Sequence, residues 1–278
     1  MTLTSTIPTR TSVARRQRRS GVPGSTLIAA EVLVPILLLV VWWVTSANST
    51  NTFFPPLQTI LTRLIELAQV PAFWTDVTSS LGNLALSFAL ASVLGVLLGA
   101  ALGLIQPLAW FVGPTLHFFR AIPPVALVPI FVSLIGFGNE TRILSITLAA
   151  LFPVLISTID GIKGAEPTLE MVSRVYRFGP IDRLFSVTLP AASPRILSGM
   201  QVSLMTAFVV MIASEMLGSS TGLGAATLLA QQSFAIADMW AGILTLGVLG
   251  YAATAMFVLF RRRVLRWYIA SQQQEKRS

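Results

Sequence analysis

The sequence predicts an all-α integral membrane protein of about six transmembrane helices, on three observations. Hydrophobic residues make up 54% of the chain and charged residues only 11%, against roughly 25% charged in a soluble domain. Mean hydropathy is +0.77. The apolar residues fall in stretches near the ~20 residues that carry a helix across a ~30 Å hydrocarbon layer. These runs lack the ~10-residue alternation of a membrane barrel. In lipid each backbone amide must find its partner inside the segment, so the stretches read as helices.

The chain opens on a basic tail holding Arg10, Arg15, Arg16, Arg18 and Arg19 with no acid among them. The first apolar stretch, 27–46, outruns the ~7–15 residues of a signal-peptide core, so it reads as an uncleaved first crossing. Next comes a Pro55-Pro56 break and the run Leu57, Ile60, Leu61, Leu64, Ile65, Leu67, with Arg63 and Glu66 between. That spacing predicts a short amphipathic helix lying at the interface. Further crossings are expected at 77–105, 119–137, 141–162, 199–217 and 239–260.

Lys and Arg set the orientation, because basic loops stay cytoplasmic. The tail, the loop with Lys163, Arg174, Arg177, Arg183 and Arg195, and the end with Arg261, Arg262, Arg263, Arg266, Lys276 and Arg277 fall on one side. Only Arg63 and Arg142 fall on the other, and Arg120 opens the third crossing. Both termini and the long middle loop are therefore expected in the cytoplasm. This divides the chain into a basic cytoplasmic tail at 1–25, a six-helix membrane domain at 26–268 and a second tail at 269–278.

Composition also excludes. A net charge of +8 suggests nucleic acid only where it forms a basic face, and here it marks chain ends and one loop. With no cysteine and a single histidine, His117, no thiolate chemistry, disulfide or histidine metal cluster is available. Scattered serines make no catalytic constellation. Glu215 lies within the fifth crossing, where a carboxylate must face protein or water. It reads either as pathway lining, or as a satisfied interhelical hydrogen bond or an interfacial position. Glu31 reads as interfacial. Pro123, Pro124 and Pro129 free backbone carbonyls in the third crossing, and either shape a pathway or kink a packed helix. Gly95, Gly99 and Gly103 repeat at i, i+4, i+8, a close-packing face with no indicated partner.

The loop 163–198 carries Leu169, Val172, Val175 and Tyr176 at helical spacing, a Gly179-Pro180 break, then Leu184, Phe185 and Val187. Two short helices are expected. Apolar residues on a loop with no core of its own point to a protein partner.

This segment resembles the coupling loop of bacterial binding-protein-dependent ABC importer permeases. That pattern runs Glu-Ala-Ala, three residues, Gly, nine residues, Ile, one residue, Leu-Pro. Anchored on Leu189-Pro190, it places Val187 on the Ile, Arg177 on the Gly, and Met171, Val172 and Ser173 on Glu-Ala-Ala. Alternatively Gly179 serves the turn, with Glu170 near the acidic position. RAIPPVALVPIFVSLIGFG at 120–138, FPVLISTIDGIKG at 152–164 and ASEMLGSSTGLG at 213–224 resemble, in order, segments of the sulfonate, taurine and nitrate branch. Ser80-Leu81-Gly82-Asn83 departs from it where an arginine is expected.

The resemblance implies a type I permease fold that works as a pair, here as a homodimer in the bacterial inner membrane. Two ATPase subunits would sit beneath it and a substrate-binding protein above. The loop, with Arg174 and Arg183, would meet the ATPase. The chain lacks a Gly-x-x-x-x-Gly-Lys-Ser/Thr loop, so ATP is expected on that partner and no cofactor or metal here. The solute is expected to be small and anionic. The competing readings are an ion-gradient-driven carrier, which usually places paired charges or broken helices at mid-membrane, and a non-transporting assembly subunit.

Overall fold

The protein, seen here as a computed structural model, is described over residues 24–165 and 167–268. The expected tails lie outside the described residues, apart from Gly24 and Ser25. So do the side chains of Glu31, His117, Glu170 and Arg174. Helices follow one another as α1 (Gly24–Ser46), α2 (Leu57–Leu67), α3 (Pro71–Leu104), α4 (Gln106–Ala121), a 3₁₀ turn (Pro124–Leu127) and α5 (Val128–Ile135). Then come α6 (Asn139–Lys163), α7 (Pro167–Val175), α8 (Pro180–Arg183), a π turn (Leu184–Thr188), α9 (Leu189–Gly218), α10 (Leu223–Gln232) and α11 (Ile236–Val264). Among the described residues there is no strand.

Four helices are long and apolar enough to cross a membrane: α3, α6, the continuous Pro180–Gly218 helix and α11. A bent pair, Gln106–Ala121 with Pro124–Ile135, makes a fifth. α1 carries the first expected stretch as a helix.

Lipid tails are as apolar as leucine, so helices in a membrane associate through close contact and hydrogen bonds. α6 sits between α3 and α9, and small residues set both contacts. A methyl group at Gly95 would lie 2.7 Å from Val154 Cβ, at Gly99 2.6 Å from Thr158 Cβ, and at Gly103 3.1 Å from Ile162 Cβ. The glycine face therefore has a partner with the same four-residue repeat. On the other side of α6, a methyl group at Gly199 would meet Ser157 Cβ at 2.3 Å, and Ser203 Oγ donates to the Ala150 carbonyl at 2.6 Å. Val128, Ile146, Ala150, Val210 and Met211 fill the core between these helices. Val248, Tyr251, Met256 and Leu259 of α11 point outward, as a lipid-facing side does.

Two expectations change. The third crossing is not one helix over 119–137: α4 starts at Gln106, ends at Ala121, and meets the following segment at 87°. The cause is Ile122-Pro123-Pro124. Prolines pull the preceding residues out of the α region, and Ile122 and Pro123 take ψ 124° and 122°. Pro124 and Pro129 then stand in first turns, where a missing N–H costs nothing. In the loop, the second short helix does not stand alone: α8 runs through the π turn into α9.

Both bundle ends are tied. At the α10 end, Arg63 of α2 pairs with Asp238 of α11 and with Glu66 at 2.7 Å. Trp42, Phe54 and Trp240 cluster there with ring centroids 5.6–6.2 Å apart. At the α7 end, Arg195 donates to the Asp160 carbonyl at 2.8 Å, closing the last turn of α6.

Candidate functional site

Three features concentrate chemistry: the α7–α9 connection, the α4–α5 break and a buried carboxylate. In the connection, α7 ends at Val175, and Arg177, two residues on, has φ +53°. The Phe178 N–H donates to the Ser173 carbonyl at 3.0 Å. A 6→1 bond over a left-handed residue is the Schellman stop, a position that favours glycine. The left-handed position therefore falls on Arg177, whereas Gly179 has φ −61° and precedes α8.

The Leu189-Pro190 pair sets the path of the chain into α9. Pro190 has no N–H to give the Ser186 carbonyl, and the ladder widens by one residue, with Leu189 N–H donating to the Leu184 carbonyl. Pro194 likewise cannot serve the Pro190 carbonyl, and Ser193 Oγ donates to it at 2.8 Å instead. Leu189 packs on Ile162, Ala192 and Ile196. Val187 and Pro190 are half-buried and Ser173 is buried. Met171, Val172, Val175, Tyr176, Phe178, Ile181 and Phe185 are exposed, Val175 at 79% and Tyr176 at 72%. Arg177 is exposed and Arg183 half-buried.

At the α4–α5 break, a cleft of about 240 Å³ lies against the middle of α6, lined by Arg120, Pro124, Leu127, Phe152, Pro153 and Thr206 among others. A second of about 240 Å³ continues toward the α7 end, lined by Gly113, Leu116, Arg120, Ile156, Asp160 and Lys163 among others. Pro124 lines the first; Pro123 and Pro129 line neither.

Glu215 is fully buried and lines neither of these two clefts. Its Oε1 accepts from Ser80 Oγ at 2.7 Å and its Oε2 from Gly224 N–H at 2.9 Å. Ser80 Oγ accepts from Leu223 N–H at 3.0 Å, and Asp76 Oδ1 from Gly222 N–H at 2.7 Å. Arg142 donates to the Thr221 carbonyl at 3.1 Å. The first N–H groups of a helix lack internal partners and favour a negative charge. Here Glu215, Ser80 and Asp76 supply acceptors to the start of α10. Of the readings of Glu215, the interhelical hydrogen bond is the one the geometry shows. Asn83, where an arginine was expected, is buried, and its Nδ2 has no hydrogen-bond partner among the described residues.

Sequence reasoning missed the partners of Glu215. Ser80 and Asp76 lie more than a hundred residues earlier, and only the glycine-rich run after Glu215 hinted at a helix start. It also missed Arg120 as a cleft residue, having placed it at the opening of the third crossing.

A helical bundle with four to five spans long and apolar enough to cross a membrane, an exposed apolar connection at one end and a cleft at a broken helix is a multi-pass membrane protein. The chain belongs to the family of binding-protein-dependent transport system inner membrane components, whose profile matches residues 91–266. It is similar to the aliphatic sulfonates transport permease SsuC of Bacillus subtilis, 32% identical over 238 residues, 85% of this chain and 86% of the relative. It is also similar to the taurine transport permease TauC of Escherichia coli, 27% identical over 239 residues, 84% and 87% of the two chains. An inward-facing structure of the MetNI methionine ABC transporter shares the fold at TM-score 0.61 and 20% identity, covering 70% of this chain and 98% of that one.

Proposed function

We propose that this chain is the membrane-spanning half of an ATP-driven importer for a small sulfonate or related oxyanion. The solute would be delivered by a substrate-binding protein on the α10 side. The observation that carries the reading is the α7–α8 segment. α7 lies outside every crossing, and with the first turn of the Pro180–Gly218 helix the segment exposes Met171, Val175, Tyr176, Phe178 and Ile181 next to basic Arg177. Such a surface suits a soluble partner, here an ATPase that holds the ATP. The bias of Lys and Arg toward the α7 end supports a cytoplasmic location for that end and for both termini. The match to a family of inner membrane components, with 86% and 87% of two relatives named as transport permeases covered, supports the inner membrane and a non-catalytic role. A second copy of the chain would complete the translocation path.

The test is recovery of the solubilised protein at native expression, with its copurifying chains identified and ATP hydrolysis assayed. The expected result is a soluble ATPase whose association is lost on Tyr176→Asp with Val175→Asp, while the permease remains in the membrane. These two side chains are exposed, so their replacement leaves the bundle intact. Unchanged ATPase association in the double variant would remove this segment's assigned role.

A further inference from the structure

We infer that Arg120 is an anion-selecting residue of the translocation path, the point at which a solute passes from the mid-span cleft to the cleft at the α7 end. The inference rests on the anionic-solute reading above for the identity of the solute, and on geometry for the site.

Arg120 lines both clefts. They are stacked along α6, the first against Phe152 and the second from Ile156 to Lys163. Arg120 therefore stands level with the middle of α6 (Asn139–Lys163), far from either end. Charged side chains at such depth face protein or water-filled space and mark ion or solute pathways. Arg120 is exposed and makes no hydrogen bond or ion pair to a described residue. Its guanidinium is thus not used by the fold, unlike Arg142, which holds the Thr221 carbonyl.

The surrounding charge favours an anion. Among the described residues, Arg120 is the one charged residue lining the mid-span cleft. In the second cleft it is joined by Lys163 and Asp160, which leaves that cleft positive. The remaining walls are mostly apolar, with Ser145 and Thr206 as the hydroxyls of the first cleft. Apolar walls around one guanidinium suit a small solute with a single oxyanion head: a planar fork of donors meets a sulfonate or carboxylate bidentately, and low dielectric strengthens the pair. The break at Ile122-Pro123-Pro124 begins two residues after Arg120, which stands in the last turn of α4.

The chain has no cysteine, so a single Leu116→Cys variant gives one reporter thiol in the second cleft. The complete transporter in liposomes is treated with two thiol reagents of similar size. One bears a sulfonate and the other a quaternary ammonium. ATP-driven uptake of taurine and ethanesulfonate is measured alongside. The expected result is faster labelling by the sulfonate reagent, a preference reduced about tenfold by Arg120→Gln and kept by Arg120→Lys, as loss of a charge-assisted contact predicts. Arg120→Gln should also raise the KM for uptake without releasing the ATPase.

Labelling ratios and uptake that are both unchanged in Arg120→Gln overturn the proposal, and so does a thiol at 116 that neither reagent reaches. An Arg120-dependent labelling preference in a wild-type transporter that imports neither sulfonate supports the anion site, while removing the sulfonate reading of the function.

Discussion

The Ser80 hydroxyl of α3 donates to the Glu215 carboxylate of α9 across 2.7 Å and, through the same oxygen, accepts the Leu223 N–H that opens α10. One buried pair therefore fixes three helices. Replacing Glu215 by Ala strands the Gly224 N–H and the Ser80 proton together. An unsatisfied buried polar group costs about 1–3 kcal/mol, so a total near 3 kcal/mol or more is expected. Glu215→Gln retains one acceptor and should fall between Ala and wild type. The check is the melting temperature of the purified protein in detergent together with its abundance in the membrane. Equal melting of Glu215→Ala and wild type would show that α10 is held by something else.

Gly99 and Gly103 predict a graded response. A methyl group at Gly99 would lie 2.6 Å from Thr158 Cβ and 2.7 Å from the Leu155 carbonyl oxygen, which belongs to the backbone and cannot turn away. At Gly103 its nearest contacts are side-chain atoms of Ile162, from 3.1 Å. Overpacking a close contact costs about 1–3 kcal/mol. Gly99→Ala should sit at the upper part of that range and Gly103→Ala below it. Membrane abundance and detergent melting of the two variants rank them, and the reverse order would contradict the packing described.

The packing of α3 was legible because a four-residue glycine repeat has one physical use in lipid, although the identity of its partner helix was not. The residues of α6 that receive it, Val154, Thr158 and Ile162, carry no signal until α6 is placed. The third crossing was misread for the opposite reason. Hydropathy runs unbroken through Phe119–Phe137, but Pro123-Pro124 governs the backbone, and 87° of bend leaves no mark on an apolar count. Glu215 shows the reach of local reading: its burial followed from depth, whereas its two donors are set by topology.

Arg177 gives a prediction of the opposite sign. A non-glycine residue held at φ +53° costs about 1 kcal/mol relative to glycine. Arg177 is exposed, so no buried contact is lost with its side chain. Arg177→Gly should stabilise the α7–α8 turn by about that amount, whereas Arg177→Val, with a β-branched side chain at positive φ, should destabilise it. Protease resistance of the 163–198 segment in intact complexes reads both changes. Coupled ATP hydrolysis should survive in the glycine variant and fall in the valine variant.

Leu189 separates docking from transmission. The surface proposed to meet the ATPase, Met171 to Ile181, lies before the π turn. Leu189 lies after it and packs on Ile162, Ala192 and Ile196 at the ends of α6 and α9. Truncating Leu189 therefore leaves the docking surface untouched while loosening the joint through which any movement of α7 reaches α9. A full Leu→Ala truncation in a core costs about 2–5 kcal/mol; Leu189 is half-buried, so a smaller loss is expected and the bundle should persist. The predicted result is normal copurification of the ATPase, continued ATP hydrolysis, and uptake reduced relative to hydrolysis. Loss of copurification would place Leu189 in the docking surface itself, and normal uptake would mean that motion reaches the membrane by another route, with Arg195 on the Asp160 carbonyl as the next contact to cut.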